Sequence, residues 1–405
     1  MDKKFSLGIT YYGKLHAPLE FVFSQNARDF IVEEIPLYKF QESGEHAILK
    51  IKKKNISTPE AIEIISDKLG IPQREIGYAG LKDKHALSYQ FISMPYKSCK
   101  NITSNIHENI SIMESHLHNN KLKIGHLLGN KFFIRLKKVS IQNFERLKSE
   151  AKLAQEFGFP NFFGFQRFGN FGDNYKLAMN ITKPAKRQTK KEKFLISSLQ
   201  SHYFNLWLES RLKLSSLISS FKPKDAKQAI FQEYKLDLSL DLLKLLHDSK
   251  LILKPLLGDI CKHYPFGKYF IFGEQRVMDI LNSTESSMQH IQADITRLEQ
   301  SDIAITGLLS GIESKLPIKA EEFNTKSKAR NLLATNQAGI IESSFAHNLL
   351  AKGTRRYAWV YPKDMKINYI PTKAQATLEF MLPSGSYATS LLEYIKNAPL
   401  YDNAE

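Results

Sequence analysis

The sequence predicts an α+β fold: a mixed or antiparallel sheet with helices packed on it, interrupted by a largely helical insertion with some irregular segments. Two observations predict it. Short segments rich in β-branched and aromatic residues dominate the N-terminal part and return near residue 352. Between them, after about residue 184, the composition turns Leu-, Lys- and Ser-rich with helical periods. Strands paired antiparallel with helices against them is the α+β pattern. The sequence therefore divides into residues 1–184 plus 353–405 as one domain and 185–352 as an inserted one. A chain of 405 residues exceeds the usual size of a single core, in keeping with two domains.

Residues 1–54 read as extended. Phe30-Ile31-Val32-Glu33-Glu34-Ile35 forms a strand ending at Pro36, and Ala47 to Ile51 a second, followed by Lys52, Lys53 and Lys54. That lysine run is either a solvated strand end or part of an anion-binding face. Ser57 or Thr58 then caps a helix with Pro59 in its first turn. Ala61, Ile62, Ile65 and Leu69 make its apolar stripe, and Gly70 stops it. Next comes Gly77 to Phe91, where Asp83 lies between Lys82 and Lys84. Gly77 and Gly80 allow tight turning before it. Leu87, Tyr89 and Phe91 alternate as the apolar face of a strand behind it. Residues 110–113 and 132–136 give further strands, and Asn143 caps a helix buried through Phe144, Leu147, Ala151 and Ala154.

The stretch Gly158 to Gly169 holds five phenylalanines, three glycines and one arginine. Buried rings covering a loop would explain it. So would a base-binding element, in which rings stack on an extruded base while Asn161, Gln166 and Arg167 meet its polar edges. Lys186, Arg187, Lys190, Lys191 and Lys193 then form a basic run. Helical periods follow over 192–213, 225–247 and 285–299, with a Gly-bounded loop at Thr306–Gly311. Arg355 to Tyr361 alternates as a strand, as do Ala376, Leu378, Phe380 and Leu382. Pro383 to Ser386 turns the chain into a last helix beginning at Tyr387. Residues after 352 are expected to complete the first sheet.

Basic residues number 57 against 41 acidic, a net charge of +16. That points to a polyanion partner, with nucleic acid favoured. No apolar run is long enough to span a bilayer, and the N-terminus does not read as a signal peptide. Cys99 and Cys261 have no metal or disulfide spacing and read as reduced thiols of a cytosolic protein. No phosphate-binding loop, dinucleotide fingerprint, His-Glu-x-x-His helix or Gly-x-Ser-x-Gly elbow occurs. Nucleoside-triphosphate use and metal-dependent hydrolysis are therefore not expected. His107, His116, His118 and His126 read as polar surface residues. What remains is Asp83, a carboxylate that neighbouring positive charge should keep ionised, able to act as nucleophile or general base. From the tripeptide alone, an ordinary charged turn is the better explanation.

Five motifs in order carry a resemblance. Gly80 to Ala86, with Ser88 and Gln90, is similar to the catalytic signature of the TruD family of pseudouridine synthases. Asn161 to Gly169, Asp29 to Glu34, Gly125 to Phe132 and Leu382 to Ser390 resemble further stretches of that family. The resemblance runs from about residue 25 to about residue 395, more loosely in the middle. It implies a catalytic α+β domain with a family-specific insertion. It also implies a cofactor-free, metal-free isomerase that turns uridine 13 in the D arm of tRNA into pseudouridine. In this resemblance Asp83 matches the catalytic aspartate, Phe163 the aromatic that stacks on the target base and Asn161 a residue bordering the pocket. Gln166, Arg167, Lys82 and Lys84 are candidate substrate contacts. The family often carries a basic partner shortly before the Asp-Phe motif; here that place falls at about Ser24. Arg28, Lys82, Lys84 and Arg167 stand as alternatives. Lys326, Lys328 and Arg330 join the basic run in the expected RNA-binding surface. A cytoplasmic monomer acting on tRNA is expected. The other reading is a non-catalytic RNA-binding or RNA-folding protein on the same scaffold.

Overall fold

Ala376, Leu378, Phe380 and Leu382 are buried in alternation along the strand Gln375–Pro383, as their period of two requires. That strand pairs antiparallel along the length of Leu127–Lys137. The computed structural model describes residues 11–14, 16–99, 102–169, 172–273, 284–312 and 332–400. Lys326, Lys328 and Arg330 lie outside the described residues. The chain forms two compact units. One comprises Leu19–Gln155 with Pro362–Ala388; the other comprises Met1–Pro18, Glu156–Tyr361 and Thr389–Glu405. The composition breaks near 184 and 352 both lie within the second unit.

The first unit is built on one mixed sheet. Its strand order is Lys363–Ile370, Gln375–Pro383, Leu127–Lys137, Phe30–Pro36, Leu87–Pro95, His46–Lys54, Ile110–His118 and Asn105–His107. Phe30–Pro36 and Leu87–Pro95 run parallel to one another; the other neighbours along this order are antiparallel. Residues after 362 thus complete this sheet.

The helix Thr58–Leu69 covers one face. Ser57 Oγ accepts from the Glu60 amide at 3.3 Å and Glu60 Oε2 accepts from the Ser57 amide at 2.8 Å, a reciprocal cap. Gly70, at φ 63°, ends the helix in the left-handed region. Ala61, Ile62 and Ile65 pack on Leu49, Ile51, Ile92 and Met94 of the sheet. Ser57→Ala is expected to lower stability by about 1 kcal/mol, read as a lower urea midpoint at constant slope.

Three local expectations change. Ser140 caps the helix Ile141–Phe157, accepting from the Asn143 amide at 3.2 Å, so the cap is three residues earlier than Asn143. In Leu87–Pro95 the polar Ser88 and Gln90 are wholly buried while Leu87 and Tyr89 are half-buried. For Gln90 the reason is the hydrogen-bond network around the Asp83 loop described below. His118 is buried, stacked on Tyr38 at 5.1 Å, rather than solvent-facing; Tyr38 also hydrogen-bonds His126 at 2.8 Å.

The second unit centres on the helix Lys190–Ser220, which buries Phe204, Trp207, Leu208 and Leu212. Its antiparallel sheet runs Tyr269–Ile271, Ile260–His263, Ile303–Leu309 and Thr354–Tyr357. A separate ladder joins Phe159–Pro160 to Trp359–Val360. The segment Thr306–Gly311, expected as a loop, is largely strand. Gly307 is needed there because a Cβ would come within 2.2 Å of the Trp207 ring. The period over 225–247 breaks into the helices Pro223–Tyr234 and Leu240–Asp248, parted at Lys235 with φ 56°. Lys186, Arg187, Lys190, Lys191 and Lys193 are all exposed. No described helix is long and apolar enough to cross a membrane.

Candidate active site

Asp83 lies on the loop between the strands Gly77–Tyr78 and Leu87–Pro95. Gly77 is required for close approach, since a Cβ there would meet Leu122 O at 2.4 Å. Gly80 has room for a side chain. Its contribution is its carbonyl, which accepts from Gln90 Nε2 at 2.7 Å. Gln90 Oε1 accepts from Thr58 Oγ1 at 2.9 Å, and Thr58 Oγ1 accepts from the Lys82 amide at 2.9 Å. One buried amide and one buried hydroxyl therefore tie the loop to the sheet and to the first turn of the helix. Fully satisfied networks of this kind fix a loop in one arrangement.

Three lysines surround Asp83 in different roles. Lys82 pairs with Glu34 at 2.7 Å, both side chains buried. Burial pushes the Glu34 carboxyl up, opposed by Lys82 and by the Phe91 amide that it accepts at 2.8 Å. Lys84 pairs with Glu60 at 2.8 Å on the surface. Lys84 and the Ser57 cap hold Glu60 down at about 2. Lys53 is 0% exposed and donates to Ile56 O at 2.7 Å and to the Asp83 carbonyl at 3.1 Å. Burial lowers its ammonium to about 8, against the pull of Asp83.

The Asp83 carboxyl is pushed up by burial, with Lys53, Lys82 and His85 pulling it down. The sequence expectation that Lys82 and Lys84 govern this group is thereby corrected. Desolvation is the larger effect, Lys53 heads the opposing charges, and Lys84 is engaged by Glu60. A carboxylate held in place with a raised pKa is a stronger base and nucleophile once ionised.

In the second unit, Asn161, Phe163, Gln166 and Arg167 lie on one segment. Asn205 grips the Phe163 backbone from both sides, accepting its amide at 2.8 Å and donating to its carbonyl at 3.0 Å. The Phe163 ring is 5% exposed, with the Arg356 guanidinium 3.9 Å from its centroid and Phe204 edge-on at 5.6 Å. Arg356 also donates to Asn161 Oδ1 at 2.7 Å and to its carbonyl at 3.0 Å. Asn161 Nδ2 donates to Tyr357 O at 2.9 Å. Arg167 bonds Ser197 and Ser201 of the long helix and lies 5.7 Å from the Phe163 ring. Gln166 Nε2 is buried with no partner among the described residues.

Lys82, Asp83 and Lys84 thus share one loop, and Asn161, Phe163, Gln166 and Arg167 share another in the other unit. Sequence reasoning missed Lys53, Asn205 and Arg356 in these settings. Lys53 was visible only as one member of a lysine run. Arg356 was visible only as the neighbour of Arg355, which is a core residue paired with Glu342 at 2.6 Å. Among the described residues no group of three or more His, Cys, Asp or Glu side chains could hold a metal ion.

The family model described as tRNA pseudouridine synthase D (TruD) matches residues 6–183 and 256–395. The Wolinella succinogenes protein named tRNA pseudouridine synthase D is 40% identical over 93% of this chain and 95% of its own. That of Sulfurimonas denitrificans is 41% identical over 95% and 98%, and that of Helicobacter pylori 40% identical over 96% of each. The crystal structure of a Methanosarcina mazei tRNA pseudouridine synthase D shares the fold. Its TM-score is 0.59 at 21% identity, over 97% of both chains. The chain belongs to the TruD family of tRNA pseudouridine synthases.

Proposed function

We propose that this protein isomerises uridine 13 in the D arm of tRNA to pseudouridine, with Asp83 as the acting carboxylate. The observation that carries this reading is the setting of Asp83: a carboxyl raised by burial, on a loop locked by Thr58 and Gln90. In the reaction the N1–C1′ bond breaks and a C5–C1′ bond forms. The C5 hydrogen leaves to solvent and N1 gains a proton. Ionised Asp83 starts this either by attacking C1′ or by removing the C2′ proton; both routes release the uracil anion, which turns and rejoins through C5. Extruding the uridine costs a few kcal/mol, and stacking on Phe163 offsets roughly 1–3 kcal/mol of it. Arginine planes also stack on bases, which makes Arg356 part of the same recognition surface as Phe163. The exposed run from Lys186 to Lys193 supplies phosphate contacts and makes binding weaken with salt. Residues 185–352 form the family-specific insertion in this reading. The family match omits 184–255, which supports an insertion starting near that point. The buried, free cysteines and the tRNA substrate fit a cytoplasmic monomer.

Because the C5 hydrogen is expelled, tRNA carrying tritium at uracil C5 tests the reaction itself. Release of one tritium per tRNA is expected; tight binding with no release would instead favour a non-catalytic RNA-binding protein. Phe163→Ala is expected to slow release by tenfold or more while changing tRNA affinity less than about threefold, since most affinity comes from phosphates. Unchanged turnover would remove Phe163 from base recognition.

A further inference from the structure

Among the described residues, Lys53 is the buried cation beside the Asp83 loop that no carboxylate neutralises at ion-pair distance. Among the described residues Lys82 has Glu34 and Lys84 has Glu60, both at 2.7–2.8 Å. Lys53 instead spends two donors on the main-chain carbonyls of Ile56 and Asp83. It is wholly buried. A lysine is almost never fully buried unless paired, because desolvating an ammonium is costly. The carbonyls it holds bracket the two ends of the site: Ile56 precedes the helix cap, and Asp83 is the acting residue. Lys53 reaches the loop from the neighbouring strand His46–Lys54.

We propose that Lys53 is the positioning residue of Asp83, fixing the loop through its backbone carbonyl and supplying the buried positive charge that favours the ionised carboxylate. This rests on the reading of Asp83 as the acting group. Lys53 does not touch the reacting atoms. The charges facing it are Asp83, Lys82, Glu34 and Glu60. Those facing Asp83 are Lys53, Lys82 and His85. Lys82 is already committed to Glu34, which leaves Lys53 as the larger uncommitted field on the carboxylate.

The test follows the rate of tritium release against pH in wild type and in Lys53→Met, a variant that keeps length and removes charge. Without the ammonium the Asp83 carboxyl rises further. The acidic limb of the profile is expected to move up by about one pH unit, with tRNA affinity changed less than threefold. A Lys53→Met enzyme whose profile keeps its wild-type acidic limb overturns the proposal. A second measurement does not depend on that variant folding. In protein labelled at the lysine ε-carbon, the Lys53 signal is expected to titrate near 8 in wild type. It is expected to titrate lower in Asp83→Asn, because an opposing negative charge is gone. An unmoved midpoint would show that the two groups are not coupled and also overturns the proposal. The two ideas fail separately: an active Asp83→Asn removes the reading of Asp83, whereas an inactive Asp83→Asn with an unshifted Lys53 removes only the role of Lys53.

Discussion

Asp83→Asn is expected to stop isomerisation, lowering the single-turnover rate on the order of 10²–10⁴-fold or to the floor of the assay. The amide keeps the volume and removes the charge, so neither attack on C1′ nor removal of the C2′ proton remains. Affinity for tRNA is expected to hold, because phosphate contacts made by lysines and arginines dominate it. The variant is also expected to be at least as stable as wild type near neutral pH. The sign follows from the raised carboxyl of Asp83. A group whose pKa is higher folded than unfolded adds stability below its unfolded pKa and loses it as pH rises through the folded one. At neutral pH the ionised, partly desolvated Asp83 is therefore a cost that Asn does not carry. In the wild type, activity should fall as pH drops through the raised pKa, above the range of an ordinary aspartate. A less stable, still active Asp83→Asn would contradict both halves of this argument.

The largest stability effect is expected at Asp259. Arg211 is 0% exposed and makes a two-pronged pair with the Asp259 carboxylate at 2.6 and 2.7 Å. It also donates to Lys254 O at 3.0 Å. Asp259 further accepts the Leu256 amide at 2.8 Å. Asp259→Ala leaves the guanidinium buried with no counter-charge, a situation that costs about 3–5 kcal/mol. The expected readout is a large fall in the denaturation midpoint. Removing both charges together, as in Arg211→Met with Asp259→Leu, should recover much of the loss, since a well-packed apolar pair is often a near-neutral replacement. A single Asp259→Ala within about 1 kcal/mol of wild type would mean that water or rearrangement satisfies Arg211.

The parts of the fold that were legible in sequence are those set by local chemistry. Ser57, Pro59, Glu60 and Gly70 mark both ends of their helix because a cap needs only neighbours a few residues away. The alternation from Ala376 to Leu382 is legible because one face of that strand is buried along its whole length. Leu87–Pro95 misleads because its buried Gln90 side chain answers to Gly80 and Thr58, whose positions only the folded chain brings close. Gly307 looks like a loop residue until the Trp207 ring lies against it.

The candidate site divides the same way. Asp83, Asn161 and Phe163 stand in motifs whose residues are close in sequence, so they could be named without a structure. Lys53, Asn205 and Arg356 could not. Lys53 is one of three consecutive lysines, and only its depth in the sheet unit separates it from Lys52 and Lys54. Asn205 lies on the helix Lys190–Ser220 beside the buried Phe204, and its partner is the Phe163 backbone 42 residues away. Arg356 adjoins Arg355, yet one lies over an aromatic ring and the other is sealed against Glu342.

Nucleotide-resolution mapping of pseudouridine in unmodified tRNA, after incubation with purified wild type or with Asp83→Asn, tests the central claim most directly. The expected result is pseudouridine at position 13 with wild type and none with Asp83→Asn. Pseudouridine formed at the wild-type rate by Asp83→Asn, or a wild-type protein that binds the tRNA and leaves uridine 13 unchanged, would contradict it.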